Sequence, residues 1–196
     1  MMAHMDTSPP TEITLKALRR MLSALEGVRR PHALIGSLAH KAWGCASALS
    51  GVQLLMPSGE DHRGAILGAA RGEGFRQAPD GTTPASAGSV RMSYADAKLG
   101  ASADVDLLEA ATPYLKQVLS RAERRPVFGV EVPVATCEDL ILMRAGSSDA
   151  ADFEEVIGLL RSNAGRVDAA YLKREAEAAG VFAGLKRAWQ EAKQRG

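Results

Sequence analysis

The sequence predicts a fold of the α+β class, in which helices cover a mixed β-sheet and a helical segment follows at the C-terminal end. First, helical periodicity and short apolar runs alternate over residues 11–70 in the order α, β, α, β, α. Second, apolar and polar residues alternate over 90–94 and 104–108, as in half-buried strands. Third, the apolar spacing is purely helical from Thr136 onward. A mixed sheet with covering helices is the simplest fold that accommodates all three patterns.

The N-terminal part supplies three helices and two strands. The first helix is amphipathic, because four leucines recur at helical spacing: Leu15, Leu18, Leu22 and Leu25. We predict a buried strand over 32–36, a short helix over 37–43 and a second strand over 51–56. Residues 58–61 have the spacing of a capping box, which predicts that the third helix starts there.

The remaining segments are predicted from turn-forming residues, helix-start signals and local composition. Residues 77–88 are rich in small and turn-forming residues without periodicity, so they predict a connecting loop, with a mobile lid as the alternative. Thr112 and Pro113 are typical of a helix start, and 126–135 is a β-rich stretch. After residue 136 the pattern predicts only helices.

By these patterns the chain divides into three segments: a flexible arm over 1–10, an α/β core over 11–135 and a helical region over 136–196. Hydrophobic residues make up 46% and charged residues 24%, a balance typical of globular proteins. Apolar runs are short and interrupted, so no membrane span is predicted. The arm has no apolar block like that of a secretory signal, and we therefore expect a cytoplasmic location.

Charge and cysteine content exclude several classes of function. The net charge of +1 gives no broad field toward an anionic surface, and the aromatic content of 5% leaves few platforms for stacking bases. Both features argue against a nucleic-acid partner. Cys45 and Cys137 stand far apart without a CxxC pair, so we predict two reduced thiols and no zinc site or disulfide framework.

The segment 32–44 resembles the opening motif of the minimal nucleotidyltransferases, the family that includes the toxin partners of abortive-infection systems. In that family an apolar strand ends in Gly-Gly or Gly-Ser, and Gly36 and Ser37 match this step. Glycine lets the backbone approach a nucleoside triphosphate, while amides and the hydroxyl donate to phosphate oxygens. The resemblance thus makes Gly36 and Ser37 candidate nucleotide-binding residues.

The resemblance continues downstream and spans most of residues 11–161. Residues 103–108 are similar to the strand that carries the third carboxylate of the family, which implies that role for Asp106. Residues 136–143 resemble a helix start of the family, and Asp149 and Asp152 resemble its final acidic pair. The resemblance implies a nucleotidyltransferase-like mixed sheet with covering helices.

The first two carboxylates of the family pattern are missing. The family has Arg-x-Thr-x-Asp-x-Asp after the position of Gly44, and here those positions hold Ser47, Leu49, Gly51 and Gln53. Two Mg²⁺ ions that bridge triphosphate oxygens need carboxylates at alternate strand positions, and glycine and glutamine supply no charge. The chain therefore resembles a degenerate member of the family, with Asp106 a vestigial third carboxylate.

Other polar residues near this motif have two interpretations each. Asp104 and Asp106 stand two apart on the predicted strand, so they share a face and are weak candidates for a shared cation, or solvated aspartates at an edge. His32 and His40 flank the predicted pocket without a carboxylate partner in the sequence, which favours surface or half-buried histidines over acid–base groups. No metal site is predicted.

The leading hypothesis is a catalytically inactive nucleotidyltransferase-fold protein that acts as a binding or regulatory module, with a toxin–antitoxin setting by analogy only. It implies no cofactor, and a protein partner, either antitoxin-like or a second copy. The alternative is an active nucleotidyltransferase that uses Mg²⁺ and a nucleoside triphosphate to modify protein, RNA or a small molecule through a rearranged carboxylate set. A third hypothesis is a structural or oligomeric protein whose pocket has no activity.

Overall fold

The computed structural model describes residues 9–46, 51–78 and 88–195 of the 196-residue chain. Within these ranges it has eight α-helices and seven strands. The helices are α1 (Glu12–Gly27), α2 (Gly36–Ala42), α3 (Glu60–Gly72), α4 (Pro113–Arg121), α5 (Cys137–Ala145), α6 (Ala150–Ser162), α7 (Ala169–Ala178) and α8 (Phe182–Gln194). The strands are β1 (Ala33–Ile35), β2 (Val52–Pro57), β3 (Phe75–Gln77), β4 (Ser89–Asp96), β5 (Ala101–Ala110), β6 (Glu123–Val127) and β7 (Val130–Val134).

The seven described strands form one mixed sheet in the order β3-β4-β5-β2-β1-β7-β6. The β2–β5 and β1–β7 pairs are parallel, and the other neighbours are antiparallel. The predicted fold class is confirmed. Leu34, Val52, Leu54 and Val105 all lie in this sheet, as expected from their apolar runs.

Helix α1 packs against the sheet through the leucine face that the sequence predicted. Thr11 caps its N-terminus by accepting a hydrogen bond from the Thr14 amide, and Leu18 and Leu25 are fully buried. The helix contacts β5 and α3. An ion pair between Lys16 and Asp96 joins it to the β4–β5 hairpin, where Asp96 also accepts from the amides of the turn.

A buried polar network organises the C-terminal helices around Asp139, which is fully buried. Thr136 caps α5 and donates to Asp139 Oδ2 at 2.8 Å, and Tyr171 of α7 donates to Oδ1 at 2.6 Å. Arg121 of α4 lies 3.2 Å from Oδ2 and stacks over the Tyr171 ring. Burial and the bond to Asp139 raise the pKa of Tyr171. Asp139 therefore links α4, α5 and α7.

The structure corrects several sequence predictions. Helix α3 starts within residues 58–61 as predicted, but the capping box is wrong, because Gly59 is the N-cap, with φ of +116° and no side-chain cap. Strand β3 was missed because its three residues show no alternation. The prediction that His32 and His40 are surface or half-buried is also wrong, since both are buried. Most of the predicted 77–88 loop lies outside the described residues.

Among the described residues, no helix has the length and apolar character needed to cross a bilayer.

Candidate functional site

A cavity of about 170 Å³ lies where the β1–α2 turn, β2, β5 and α5 meet. It is lined by Ile35, Gly36, His40, Gln53, Ser89, Asp106, Leu108, Leu140, Met143 and Arg144. The structure thus brings together Gly36, Gln53 and Asp106 of the predicted site. Ser37 is buried in α2 next to Gly36 and is not part of the described lining.

Strand register explains why these three residues meet. Ile35 pairs with Gln53 across the antiparallel β1–β2 ladder, which places Gln53 beside the start of α2. Gln53 in turn pairs with Asp106 across the parallel β2–β5 ladder. Paired residues point to the same face of a sheet, and both side chains reach the cavity.

The side chain of Gln53 fills the space in front of Gly36. A Cβ placed on Gly36 would lie 2.0 Å from Gln53 Oε1 and 2.9 Å from its Cδ. Gly36 also has φ of +69°, a conformation that favours glycine because it has no Cβ. The open face of this glycine is therefore occupied by an amide of the protein itself.

Asp106 is held by an arginine of the neighbouring strand. Arg91 of β4 pairs with Asp106 of β5 in register and donates from Nε to Oδ1 at 2.7 Å and from Nη2 to Oδ2 at 3.0 Å. This is a bidentate, charge-assisted pair. The hydrogen bond to Asp106 raises the pKa of Arg91. Asp106 is 8% exposed, so little of the carboxylate is left for a ligand from solvent.

The other predicted positions offer no compensating charge. Gly51 precedes β2 with φ of +98°, and Asp104 is exposed beyond the cavity lining. Ser47 and Leu49 lie outside the described residues. Mg²⁺ prefers hard anionic oxygens in octahedral geometry. In the described part of the chain, no three His, Cys, Asp or Glu side chains are grouped so that they could hold a metal ion. The residues do not fit a two-metal site.

A second ionic cluster borders the cavity. His40 is 1% exposed, and its Nδ1 lies 3.1 Å from Glu155 Oε2 on α6. Arg144 of α5 lies 3.6 Å from the same oxygen and pairs with Asp152 at 2.8 Å. Asp149 serves as the N-cap of α6 by accepting from the Ala151 amide. Of the final acidic pair in the sequence motif, Asp149 therefore caps α6 and Asp152 pairs with Arg144.

Comparison with solved structures places this fold among known proteins. The antibiotic-resistance factor ANT(2'')-Ia is 12% identical, with a TM-score of 0.52 over 92% of this chain and 95% of its own. The lincosamide antibiotic adenylyltransferase LnuA, solved with lincomycin, is also 12% identical, with a TM-score of 0.52 over 78% and 98%. An antigenic nucleotidyltransferase-like protein from Paracoccidioides brasiliensis is 13% identical, with a TM-score of 0.52 over 89% and 90%.

In the sequence comparisons, no protein-family model and no curated protein sequence matches this chain. At 12–13% identity the structural likeness concerns the fold. It extends over most of each chain, helices and sheet included. The protein therefore has a nucleotidyltransferase-like fold.

Proposed function

We propose that this chain is a catalytically inactive nucleotidyltransferase-fold protein that acts as a binding or regulatory module. The observation that carries the proposal is the bidentate pair between Arg91 and Asp106. By the sequence resemblance, Asp106 corresponds to the third carboxylate of the family, and the positions of the other two hold Gly51 and Gln53. Here the charge of Asp106 is neutralised by a guanidinium of the same sheet.

The ion pair opposes metal binding directly. A divalent cation would have to displace Arg91 from both oxygens of Asp106 and leave the guanidinium partly buried without its partner, since the Arg91 side chain is 28% exposed. Breaking a buried charge pair by removing one partner is destabilising, because desolvation is no longer compensated. Binding through a single carboxylate would not offset that loss, since cation affinity rises with the number of charged ligands.

The Gln53 amide opposes triphosphate binding at the same place. Close approach of the backbone to phosphate requires open space in front of Gly36, and Gln53 Oε1 occupies it. The cavity of about 170 Å³ is smaller than the usual range of ligand pockets, about 300–1,000 Å³.

The alternative is an active nucleotidyltransferase with a rearranged carboxylate set. It is favoured by the fold likeness to LnuA, a lincosamide antibiotic adenylyltransferase. It requires other acidic residues at the cavity, and Asp152 and Glu155, which contact the lining residues Arg144 and His40, are already engaged in those contacts. These contacts support the inactive assignment over the active one.

Calorimetry with ATP, GTP, CTP and UTP, each with and without Mg²⁺, tests the proposal. We expect no Mg²⁺-dependent binding to the parent chain. The test variant is Gln53→Ala, which opens the space at Gly36. The matched control is Lys116→Ala, at an exposed residue of α4 outside the cavity. Tight binding of a nucleotide to the parent only in the presence of Mg²⁺ would contradict the inactive assignment.

A further inference from the structure

A second cavity does not coincide with the Asp106 site. It is a groove of about 770 Å³ between α6 and α8, bordered by the loop that follows α6. Its floor is apolar and includes Ile157, Leu160 and Ala192, with Trp189 half-buried at one side. None of its lining residues belongs to the Asp106 cavity. The groove is a separate feature of the molecule.

The rim of this groove is basic. Arg161 on α6 and Lys193 on α8 are exposed, and neither has an ion-pair partner within the described ranges. Arg195 also lines the groove, but it pairs with Glu154 at 2.7 Å and with Glu191 at 3.3 Å. Two uncompensated cations therefore stand on opposite walls of an apolar trough.

We infer that the α6–α8 groove docks an acidic amphipathic helix of a partner protein. This inference names a partner class for the binding role proposed above. It uses no residue of the Asp106 cavity, so either proposal can fail while the other stands. The apolar floor fits the apolar face of the helix, and Arg161 and Lys193 fit acidic side chains on its two flanks.

The length of the groove along α6 suits a docked helix of about two turns. Its lining runs along α6 from Glu154 to Ser162, about 12 Å at 1.5 Å per residue, which corresponds to about two helical turns. Small-molecule sites place a few converging polar groups in the floor. Here the charged groups lie at the rim, and the hydroxyl of Ser162 already donates to the Gly44 carbonyl. The surface therefore favours an extended apolar contact over a small ligand.

Charge also selects among macromolecular partners. In a two-fold dimer through this face, the same patch meets itself, which would bring Arg161 and Lys193 of both copies together. RNA would match the cations, but the floor offers only Trp189 as a stacking platform among the described lining residues. An acidic amphipathic helix matches both the apolar floor and the basic rim of the groove.

The test is selection from a display library of helical peptides of about 18 residues, long enough to form an isolated helix. Apolar residues are fixed at the i, i+3, i+4 and i+7 positions, and the flanking positions vary among Glu, Lys, Gln and Ala. Peptides that bind the intact chain should be enriched in Glu on both flanks. Their binding should change the fluorescence of the parent and not that of a Trp189→Phe variant. Enrichment without Glu, or no enrichment, would overturn the inference.

Charge reversal then tests whether the groove is the site. For a selected peptide, Arg161→Glu with Lys193→Glu should weaken binding by about tenfold or more, and a peptide with Lys in place of Glu should regain it. The control is Arg19→Glu with Lys116→Glu, an equal charge change at exposed positions on α1 and α4, with an expected change within about twofold. Equal loss in both variants would overturn the inference.

Dodecanoate serves as the small-molecule probe. If it binds stoichiometrically, depends on Arg161 and Lys193, and no peptide is selected, the groove takes small amphipathic anions and the helix-docking inference is wrong.

Discussion

At Gly36, the backbone conformation and the side chain of Gln53 both disfavour a side chain at the residue itself. The φ of +69° disfavours any L residue, and a Cβ would collide with Gln53 Oε1. Gly129 separates the two effects, because it has φ of +77° in the β6–β7 turn and open space around its Cα. The difference in stability loss between alanine substitutions at the two glycines therefore measures the effect of the contact with Gln53.

We therefore predict that Gly36→Ala destabilises the chain more than Gly129→Ala does. The backbone strain costs about 1–3 kcal/mol in either variant, and the overlap with Gln53 adds to it only at Gly36. Urea unfolding measures both free energies. Adding Gln53→Ala should recover part of the Gly36→Ala loss, because contacting residues are not additive. Fully additive effects of the two substitutions would show that Gln53 does not fill this space.

The Arg91–Asp106 pair predicts an asymmetry between single and double variants. Arg91→Met should cost about 1.5–3 kcal/mol, because it leaves the buried carboxylate of Asp106 without its charged hydrogen bonds. Adding Asp106→Leu should restore much of this loss. The control is Arg124→Met, whose pair with Glu26 is exposed on both sides and should change the unfolding free energy by less than about 0.5 kcal/mol. A cost for Arg91→Met as small as that of the control would contradict the pairing.

At the scale of elements, the register of β2, β4 and β5 brings Gln53, Arg91 and Asp106 together, although they are distant in sequence. Gln53 meets Asp106 through the β2–β5 ladder, and Arg91 meets Asp106 through the β4–β5 ladder. The resemblance implied that Gly51 and Gln53 share one side with Asp106, near Gly36 and Ser37; Gly36, Gln53 and Asp106 do line one cavity, whereas Gly51 lies before β2 and outside the lining. The resemblance gave no register for β4, so it did not reveal that Arg91 neutralises Asp106.

The same reasoning separates predictable from unpredictable elements. Helices α1, α4 and α5 begin after threonine caps, which are a local sequence signal. Apolar residues at helical spacing predicted most of the other helices. The contact between His40 and Glu155 joins residues 115 positions apart, by difference of their numbers, on helices whose packing no local pattern encodes. The cap of α3 was misassigned because Ser58 and Gly59 are both acceptable caps and only the backbone decides between them.

The start of β2 limits how a metal site could be restored. Position 51 lies before the strand with φ of +98°, so Gly51→Asp strains the backbone, and Arg91 continues to hold Asp106. We predict that Mg²⁺ binding needs Gly51→Asp, Gln53→Asp and Arg91→Met together, since only the triple variant offers three free carboxylates. Calorimetry with MgCl₂ measures it. Equal Mg²⁺ affinity of the single Gln53→Asp variant would refute this prediction.

For the molecule as a whole, two buried thiols couple stability to alkaline pH. Cys45 and Cys137 are free and 2% exposed, and burial raises the pKa of each to about 12. The unfolded chain ionises these thiols above about pH 8.5 while the folded chain keeps them neutral. Each thiol therefore favours unfolding increasingly as pH rises from about 9 toward 12.

We predict that the free energy of unfolding falls more steeply with pH in the parent than in a Cys45→Ala, Cys137→Ala variant. Each thiol contributes at most about 1.4 kcal/mol per pH unit in this window and nothing below it. Urea unfolding of both proteins over a pH series measures the two slopes, and the difference removes the titration of lysines and tyrosines. Equal slopes would show that the thiols ionise freely in the folded chain.

We propose that this nucleotidyltransferase-like fold carries out no nucleotidyl transfer, because Arg91 holds Asp106 and Gln53 fills the space in front of Gly36. The most direct measurement is transfer of α-phosphate label from ATP, GTP, CTP and UTP with Mg²⁺, by the parent and by Asp106→Asn, with a known adenylyltransferase run in parallel. We predict that the parent transfers no more label than Asp106→Asn to itself, to RNA or to small acceptors. Mg²⁺-dependent transfer by the parent that is abolished in Asp106→Asn would contradict the claim.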